Sequence, residues 1–310
     1  MSVPAWLAAP FRRRPGAPAK WRHRALRLVT LLGFCYLVCL LMLALLQTKL
    51  IFPGSWTHPH HGPTRLPAGV SLVPLTMADG RHSAVLWAPA WRPDGQPLAA
   101  GTAAPTLLFF YGNGDWLAGY PEWCDAMRRL GLNVCVPEYP GYGAAAGSPS
   151  EAGCYAVAEA ARVFVLEQPG VDAQRLLYAG WSLGSGVAVE LATRHEPAGL
   201  LLVSAYTSIP DVAQSHYFFL PCHWLVRQRF DSVARIGGIT CPIILIHGTR
   251  DRTVPYRMSR ALRDAARRAR WVEQIPVLGA GHNDMLEAGD GPIRAALARL
   301  AAPALSATHR

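Results

Sequence analysis

An uncharged apolar segment near the N-terminus constrains this chain more than any other feature. Residues 28–46 contain no charged side chain and nothing more polar than Thr30. In a helix these nineteen residues would rise about 1.5 Å each and reach roughly 28 Å, close to the hydrocarbon thickness of a bilayer. The segment therefore predicts one transmembrane helix.

Three other kinds of segment share parts of this pattern. A buried core helix of this length would normally show a polar face, which is absent. A cleaved signal peptide would have a shorter apolar region and then a small-x-small cleavage site, whereas residues 47–52 read QTKLIF. An organelle presequence stays open, because the N-terminus is rich in arginine and free of acidic residues.

The charge of the chain is concentrated around this segment. The formal net charge is +10, yet the first acidic residue is Asp79. Eight of the 30 basic residues lie before position 50, which leaves 22 basic residues against 20 acidic ones in the remainder. The remainder is nearly neutral, so a basic face for nucleic acid has no support and no nucleic-acid partner is expected.

The flanking charges also predict an orientation. Seven basic residues precede the apolar segment, and only Lys49 and Arg65 follow it closely. By the positive-inside rule, residues 1–27 form a basic cytoplasmic tail, and the C-terminal domain lies on the non-cytoplasmic side, periplasmic or lumenal.

Residues 47–69 are rich in proline and glycine and are predicted to form a linker to a domain over residues 70–302, with a tail at 303–310. The linker carries His58, His60 and His61, but neither cysteine nor carboxylate accompanies them, so no metal site is expected. The seven cysteines show no CxxC or zinc spacing and predict no disulfide framework. No cofactor is expected.

Short apolar runs alternate with helix-length amphipathic segments through the domain. Strands are predicted over residues 70–76, 83–89, 106–111, 133–137, 175–180, 199–204, 243–247 and 271–277. Helices are predicted over residues 120–130, 151–167, 183–195, 257–269 and 292–301. This order predicts an α/β fold: a mostly parallel central sheet, entered by an antiparallel hairpin and covered by helices on both faces.

A longer insertion, at about residues 205–240, lies between the sixth and seventh predicted core strands, where it would form a short cap. Its apolar run at residues 217–226, YFFLPCHWLV, suits either packing within the cap or a surface that touches the membrane.

The first chemical motif is GWSLG at residues 180–184. A nucleophilic serine needs a sharp strand-to-helix turn that holds its oxygen clear of the backbone, with glycines where a side chain would clash. The apolar strand before the motif and the helical pattern after it match that context. Ser182 is therefore the candidate nucleophile, and the nearby Ser185 is interpreted as a packing residue.

A base and an orienting acid should follow the nucleophile on loops after later strands. Asp251 comes just after the strand that ends at His247, and His282 comes just after the next strand. They are the candidate acid and base. Asp231, the rival acid, precedes the strand after which the acid belongs.

An oxyanion needs two amide donors. The first candidate is the amide of Leu183, directly after the nucleophile. The second comes from the loop after the strand at residues 106–111, where the Asn113 amide is the first choice and Gly114 the alternative.

Several sequence blocks, taken in order, resemble the α/β-hydrolase superfamily, and within it the Bem46-like and the ABHD13- and ABHD17-like membrane-anchored serine hydrolases. The blocks are residues 49–53 (KLIFP), 111–113 (YGN), 138–143 (EYPGYG), 147–151 (GSPSE), 180–184, 206–209 (YTSI), 229–232 (RFDS), 247–255 and 281–282. The resemblance covers about residues 47–302.

The resemblance implies an α/β-hydrolase fold in which Ser182, His282 and Asp251 act on an ester or thioester. Some relatives remove fatty acyl groups from proteins. The chain departs from the family at Tyr111, where histidine is usual, and at residues 138–140, where Asp-Tyr-Arg is usual.

The sequence thus predicts a membrane-anchored serine hydrolase acting on a small-molecule or acylated substrate through an acyl-enzyme. Two alternatives stay open: a peptidase of small substrates, and a catalytically silent membrane scaffold on the same fold.

Overall fold

A computed structural model describes residues 18–58, 60–99 and 102–302. Most of the predicted cytoplasmic tail and all of the predicted C-terminal tail fall outside the described residues. The chain divides into two units, residues 1–45 and residues 46–310.

The first unit contains most of one long helix, α1, which spans Pro18–Ile51. The last residues of this helix, 46–51, belong to the second unit. From Trp21 to Ile51 it is long and apolar enough to cross a membrane. Its apolar side chains are largely exposed, as expected of a helix whose solvent is lipid rather than a protein core. The apolar helix predicted over residues 28–46 therefore lies within α1, and its length fits a membrane anchor.

The segment expected to be a free linker instead begins as packed structure. Phe52 is fully buried and meets Phe230 edge-on, with ring centroids 6.1 Å apart. A short helix, α2, follows at Gly54–Thr57. The linker prediction was wrong for these residues, because Phe52 packs into the domain and Gly54, which resembles a loop glycine in the sequence, allows a close approach of the backbone.

One eight-stranded sheet forms the centre of the second unit, in the spatial order β1-β2-β4-β3-β5-β6-β7-β8. β1 pairs antiparallel with β2 and β2 antiparallel with β4, and every later pair is parallel. The strands are β1 Ser71–Thr76, β2 His82–Ala88, β3 Ala104–Phe110, β4 Asn133–Pro137, β5 Val171–Trp181, β6 Gly199–Val203, β7 Ile243–Gly248 and β8 Val272–Val277. The predicted mostly parallel sheet with an antiparallel entry hairpin is confirmed.

Burial explains why the central strands read as continuous apolar runs. Every residue of β3, β4, β6 and β7 is buried, as in parallel sheets covered on both faces. β5 starts earlier than predicted, because Ala104 pairs with Val171 across a register shift in β3.

Helices cover the sheet in two groups. They are α3 Pro121–Arg128, α4 Glu151–Leu166, α5 Leu183–Arg194, α6 Ile209–His216, α7 Cys222–Leu225, α8 Ser232–Ile236, α9 Arg257–Ala265, α10 Met285–Ala288 and α11 Asp290–Ala301. α4, α5, α8 and α9 contact one another in that order, while Arg294 of α11 donates to the carbonyl oxygen of Ala126 in α3 at 3.4 Å.

Local caps fix where several of these helices begin. The Ser150 hydroxyl accepts from the Gly153 amide at 3.0 Å at the start of α4, and Pro121 occupies the first turn of α3. Both are favourable helix starts, since a cap satisfies an unpaired amide and proline lacks one. α3 therefore begins at Pro121 rather than at residue 120.

Candidate active site

The candidate nucleophile lies on a sharp turn between β5 and α5. Ser182 has a φ of 51°, a strained value for a residue with a side chain. A Cβ on Gly180 would lie 2.1 Å from the carbonyl oxygen of Gly184, and one on Gly184 would lie 2.0 Å from that of Phe110. Both motif glycines are thus required by close backbone approach, and the turn holds the serine at the carboxyl end of the sheet.

The structure brings the three candidate catalytic side chains together. Nε2 of His282 lies 2.9 Å from Oγ of Ser182, and Nδ1 of His282 lies 2.6 Å from Oδ2 of Asp251. All three side chains are largely buried. A continuous hydrogen-bonded path therefore runs from hydroxyl to carboxylate, as general-base activation of a serine requires.

The electrostatics of Asp251 determine which nitrogen of His282 carries the proton. Burial by itself would raise the pKa of Asp251, but hydrogen bonds from His247 and His282, the charge of His282 and the amide of Val254 hold it well below its usual value. The carboxylate is ionised at neutral pH and can only accept hydrogen bonds. Nδ1–H of His282 therefore donates to Asp251, which leaves the lone pair of Nε2 directed at Ser182.

A second histidine, His247, supports the acid and was not singled out in the sequence as a site residue. Its Nε2 lies 2.9 Å from the carbonyl oxygen of Val254 and 3.3 Å from Oδ2 of Asp251. Because a carbonyl only accepts, Nε2 carries a hydrogen that both oxygens share. The available signal was a histidine near the end of a buried strand, four residues before the acid.

The catalytic atoms face a cleft of about 330 Å³, lined by residues 112–115 together with Trp181, Ser182, His282 and Asn283. The Trp181 ring stacks against His282 with centroids 5.9 Å apart. A Cβ on Gly112 would approach that indole to 3.3 Å. Trp181 therefore supports the base from one side and leaves little room for a side chain at position 112.

Two backbone amides at this cleft are candidates for oxyanion donors. Asn113 lines the cleft beside the nucleophile, and Leu183 is the first residue of α5. Among the described residues, neither amide donates to a protein acceptor. The first amides of a helix lack intrahelical partners and carry its positive end, which favours a developing negative charge. Gly114, the alternative, lies in the same loop.

Tyr111 and Glu138, two of the positions that depart from the resembled family, are hydrogen-bonded to each other beneath this loop. The Tyr111 hydroxyl donates to Oε1 of Glu138, which also accepts from the Leu117 amide at 3.1 Å. The Tyr139 amide donates to the Tyr111 hydroxyl oxygen at 3.1 Å. Burial raises the pKa of Glu138 to about 7 despite these hydrogen bonds. The substituted pair forms its own buried support for the loop.

The rival acid and the rival serine have other contacts. Asp231 caps α8, where its Oδ1 accepts from the Ala234 amide at 3.3 Å. Ser185 is buried and its hydroxyl donates to the carbonyl oxygen of Ser182 at 2.6 Å. Both side chains are thus engaged in local backbone contacts.

The cap insertion contains α6, α7 and α8 and touches the acid loop through His216, whose Nε2 lies 2.8 Å from the carbonyl oxygen of Thr253. The apolar run at residues 217–226 contains both buried and exposed side chains. Leu220 and Cys222 are buried, as packing within the cap requires, whereas Phe218 is 84% and Trp224 92% exposed, as a membrane-touching surface requires.

The cysteines lie apart from the candidate catalytic residues in the part of the chain that the structure describes, and none of them forms a disulfide. The cysteines are unpaired; those outside α1 are buried, and burial raises the pKa of Cys124, Cys135 and Cys154. Within the described ranges, no group of three His, Cys, Asp or Glu side chains is arranged to hold a metal ion.

Comparison with known proteins agrees with this architecture. No family model matches the sequence. The chain is 34% identical over 265 residues to the uncharacterized protein Rv2307c of Mycobacterium tuberculosis, covering 85% of this chain and 90% of that protein. It is 33% identical over 186 residues to human alpha/beta hydrolase domain-containing protein 17B, covering 58% of this chain and 61% of the human protein. The chain therefore resembles the ABHD17-like α/β-hydrolases in sequence.

Solved structures show the same fold. The Pyrococcus furiosus esterase Pf2001 matches this α/β-hydrolase with a TM-score of 0.60 at 14% identity, over 78% of this chain and 98% of the esterase. A puromycin hydrolase matches with a TM-score of 0.60 at 17% identity, over 74% of this chain and 39% of that protein. The predicted α/β-hydrolase fold and the resemblance to ABHD17-like proteins are confirmed.

Proposed function

We propose that this α/β-hydrolase is a membrane-anchored serine hydrolase that cleaves carboxylic esters or thioesters through an acyl-enzyme. The observation that carries the proposal is the path from Ser182 through His282 to Asp251, with contacts of 2.9 Å and 2.6 Å at the floor of one cleft. An ionised, buried acid on the far side of the imidazole stabilises the imidazolium that forms when the base takes a proton.

The proposed reaction begins when Oγ of Ser182 attacks the acyl carbon and its proton passes to Nε2 of His282. The amides of Leu183 and Asn113 donate to the oxyanion. As the tetrahedral intermediate collapses, Nε2 returns the proton to the leaving oxygen or sulfur, and an alcohol or thiol departs. Water then attacks the acyl-enzyme by the same path and releases the acid.

Two features support an apolar acyl group and a membrane setting. Helix α1 is long and apolar enough to serve as an anchor. The exposed aromatic side chains of Phe218 and Trp224 lie in the cap segment that follows His216, the residue tied to the acid loop. Large exposed aromatics favour contact with an apolar ligand or surface.

The proposed topology places the N-terminus in the cytoplasm and the hydrolase domain on the periplasmic or lumenal side, because seven basic residues precede the apolar segment. Protease added from the non-cytoplasmic side of sealed vesicles should digest the domain. Digestion only from the cytoplasmic side would contradict this orientation.

A substrate panel tests the reaction. The full-length protein in detergent is assayed on p-nitrophenyl esters of increasing chain length, acyl thioesters and aminoacyl amides, with Ser182→Ala as the control. Turnover of esters or thioesters that is lost in Ser182→Ala is expected. If only aminoacyl amides are turned over, the protein is a peptidase and the proposal is wrong. If no substrate is turned over, the protein is a catalytically silent scaffold.

A further inference from the structure

The segment that directly follows the membrane helix is bonded to the loop that carries the candidate oxyanion amide. We call residues 51–58 the clamp segment and residues 112–115 the oxyanion loop. Three hydrogen bonds join them, and each spans more than fifty positions of sequence. The chain could continue into β1 without these contacts, and they hold a loop that lines the cleft.

Two of the bonds hold Asn113 itself. Its side-chain Nδ2 donates to the carbonyl oxygen of Ile51 at 2.9 Å, and its carbonyl oxygen accepts from the Gly54 amide at 3.0 Å. The carbonyl of Ile51 is one of the last of α1, and such carbonyls lack partners within a helix. The end of α1 therefore has its backbone satisfied by the same residue whose amide is a candidate oxyanion donor.

The third bond holds the next residue of the oxyanion loop. Nε2 of His58 lies 2.7 Å from the carbonyl oxygen of Gly114, so this nitrogen carries the hydrogen and donates. The His58 ring also stacks on Trp116, with centroids 5.0 Å apart and planes 3° from parallel. This histidine, which sequence reasoning assigned to a linker, is packed on the loop.

Steric fit at Gly54 shows how close the two backbones approach. A Cβ at this position would lie 2.5 Å from the carbonyl oxygen of Asp115 and 2.4 Å from a ring carbon of Tyr142. The hydroxyl of Tyr142 in turn donates to the carbonyl oxygen of Asn113 at 2.9 Å. The clamp segment thus fits against the loop only because residue 54 has no side chain.

We propose that the clamp segment positions the oxyanion loop, and that Gly54 and His58 are positioning residues for the hydrolysis proposed above, on which this inference rests. Donors stabilise an oxyanion most when they are already oriented before charge develops. The clamp segment holds the carbonyl and the side chain of Asn113, while the amide of the same residue donates to no protein acceptor among the described residues.

The test compares kcat and KM of full-length variants in detergent, on the best p-nitrophenyl ester of the panel. Gly54→Ala and His58→Ala should each lower kcat by about tenfold while KM changes by less than about twofold, since loss of a whole oxyanion donor costs about 10²–10³. His58→Gln, whose amide nitrogen can still donate to Gly114, should recover most of the loss.

Two variants serve as matched controls. Thr57→Ala changes an exposed residue of the clamp segment whose hydroxyl donates to the carbonyl oxygen of Pro53 within the same segment. Gly119→Ala adds a methyl group where nothing lies within 4 Å. Both should keep the wild-type kcat.

The outcomes separate this inference from the proposed function. A wild type that neither turns over esters nor reacts with a fluorophosphonate overturns the proposed function. A reactive wild type whose Gly54→Ala and His58→Ala variants keep full kcat overturns the clamp alone. Thermal unfolding of each variant shows whether it is folded, and if Gly54→Ala is not, the His58→Ala and His58→Gln pair decides. Faster amide hydrogen exchange at residues 112–115 in His58→Ala would support the clamp independently of turnover.

Discussion

The two parts of the candidate site are built in different ways. Ser182, Asp251 and His282 each follow a strand of the parallel sheet, and each is placed by the local sequence around it. The oxyanion loop is instead held by residues far away in the chain, since Asn113 comes 62 positions after Ile51. The candidate catalytic side chains can therefore be predicted from the sequence around them. The residues that hold the oxyanion loop in place can be identified only from the folded structure.

The largest effect expected is on the locally encoded part, from loss of the base. His282→Ala should lower kcat by about 10⁴–10⁶-fold, because no other group takes the proton of Ser182. Steady-state ester hydrolysis measures this. His195→Ala, a histidine that pairs with Glu159 at 2.8 Å, is the control and should leave kcat unchanged. A loss in His282→Ala of less than tenfold would show that another residue is the base.

Replacing the acid should come next. Asp251→Asn presents an amide NH₂ to Nδ1 of His282, which favours the wrong tautomer and should reduce kcat by about 10⁴-fold. Asp231→Asn is the matched control, since Asp231 caps α8. If kcat fell in the Asp231 variant and not in the Asp251 variant, the assignment of the acid would be reversed.

A smaller change should follow from a single methyl group in the nucleophile turn. Gly184→Ala would push a Cβ against the Phe110 carbonyl oxygen, and a shift of about 1 Å in Ser182 should cost about 10² in kcat. The midpoint temperature of thermal unfolding should also fall, because overpacking lowers the free energy of unfolding by about 1–3 kcal/mol. Gly119→Ala should change neither. Full activity in Gly184→Ala would mean that the turn tolerates more freedom than its geometry indicates.

Most of the fold and the three candidate catalytic residues could be predicted because they depend on local order. Alternating apolar and amphipathic segments determine a parallel sheet, and the ends of parallel strands converge on one edge, so Ser182, Asp251 and His282 had to come together if their strands were correct. Strand boundaries were less certain, as at β5, where pairing with β3 extends the strand to Val171.

The features that could not be predicted from the sequence depend on contacts between residues that are distant along the chain. Gly54 and His58 lie in a stretch whose composition is that of a linker, and nothing local shows that Phe52 is buried against Phe230. His247 reads as one more residue of a buried strand until Asp251 folds back beside it. These positions are specified by packing partners distant in sequence, which periodicity and turn signals do not contain.

A further predicted effect concerns the buried support of the oxyanion loop and appears as a pH dependence of stability rather than as a change in kcat. Burial raises the pKa of Glu138 from 4.5 to about 7, so its protonated form is favoured in the folded state. Its contribution to stability is fully present below about pH 4.5 and is lost as pH rises through 7. Relative to Glu138→Gln, the wild type should lose about 3 kcal/mol of unfolding free energy across that window. Parallel pH profiles of the two proteins would contradict this.

The central claim is that Ser182 is the activated nucleophile. Its most direct test is intact-mass analysis after reaction with a fluorophosphonate, using the wild type, Ser182→Ala and Ser185→Ala. We expect one covalent adduct on the wild type and on Ser185→Ala, and none on Ser182→Ala. An adduct that persists in Ser182→Ala, or an unreactive and folded wild type, would contradict the account.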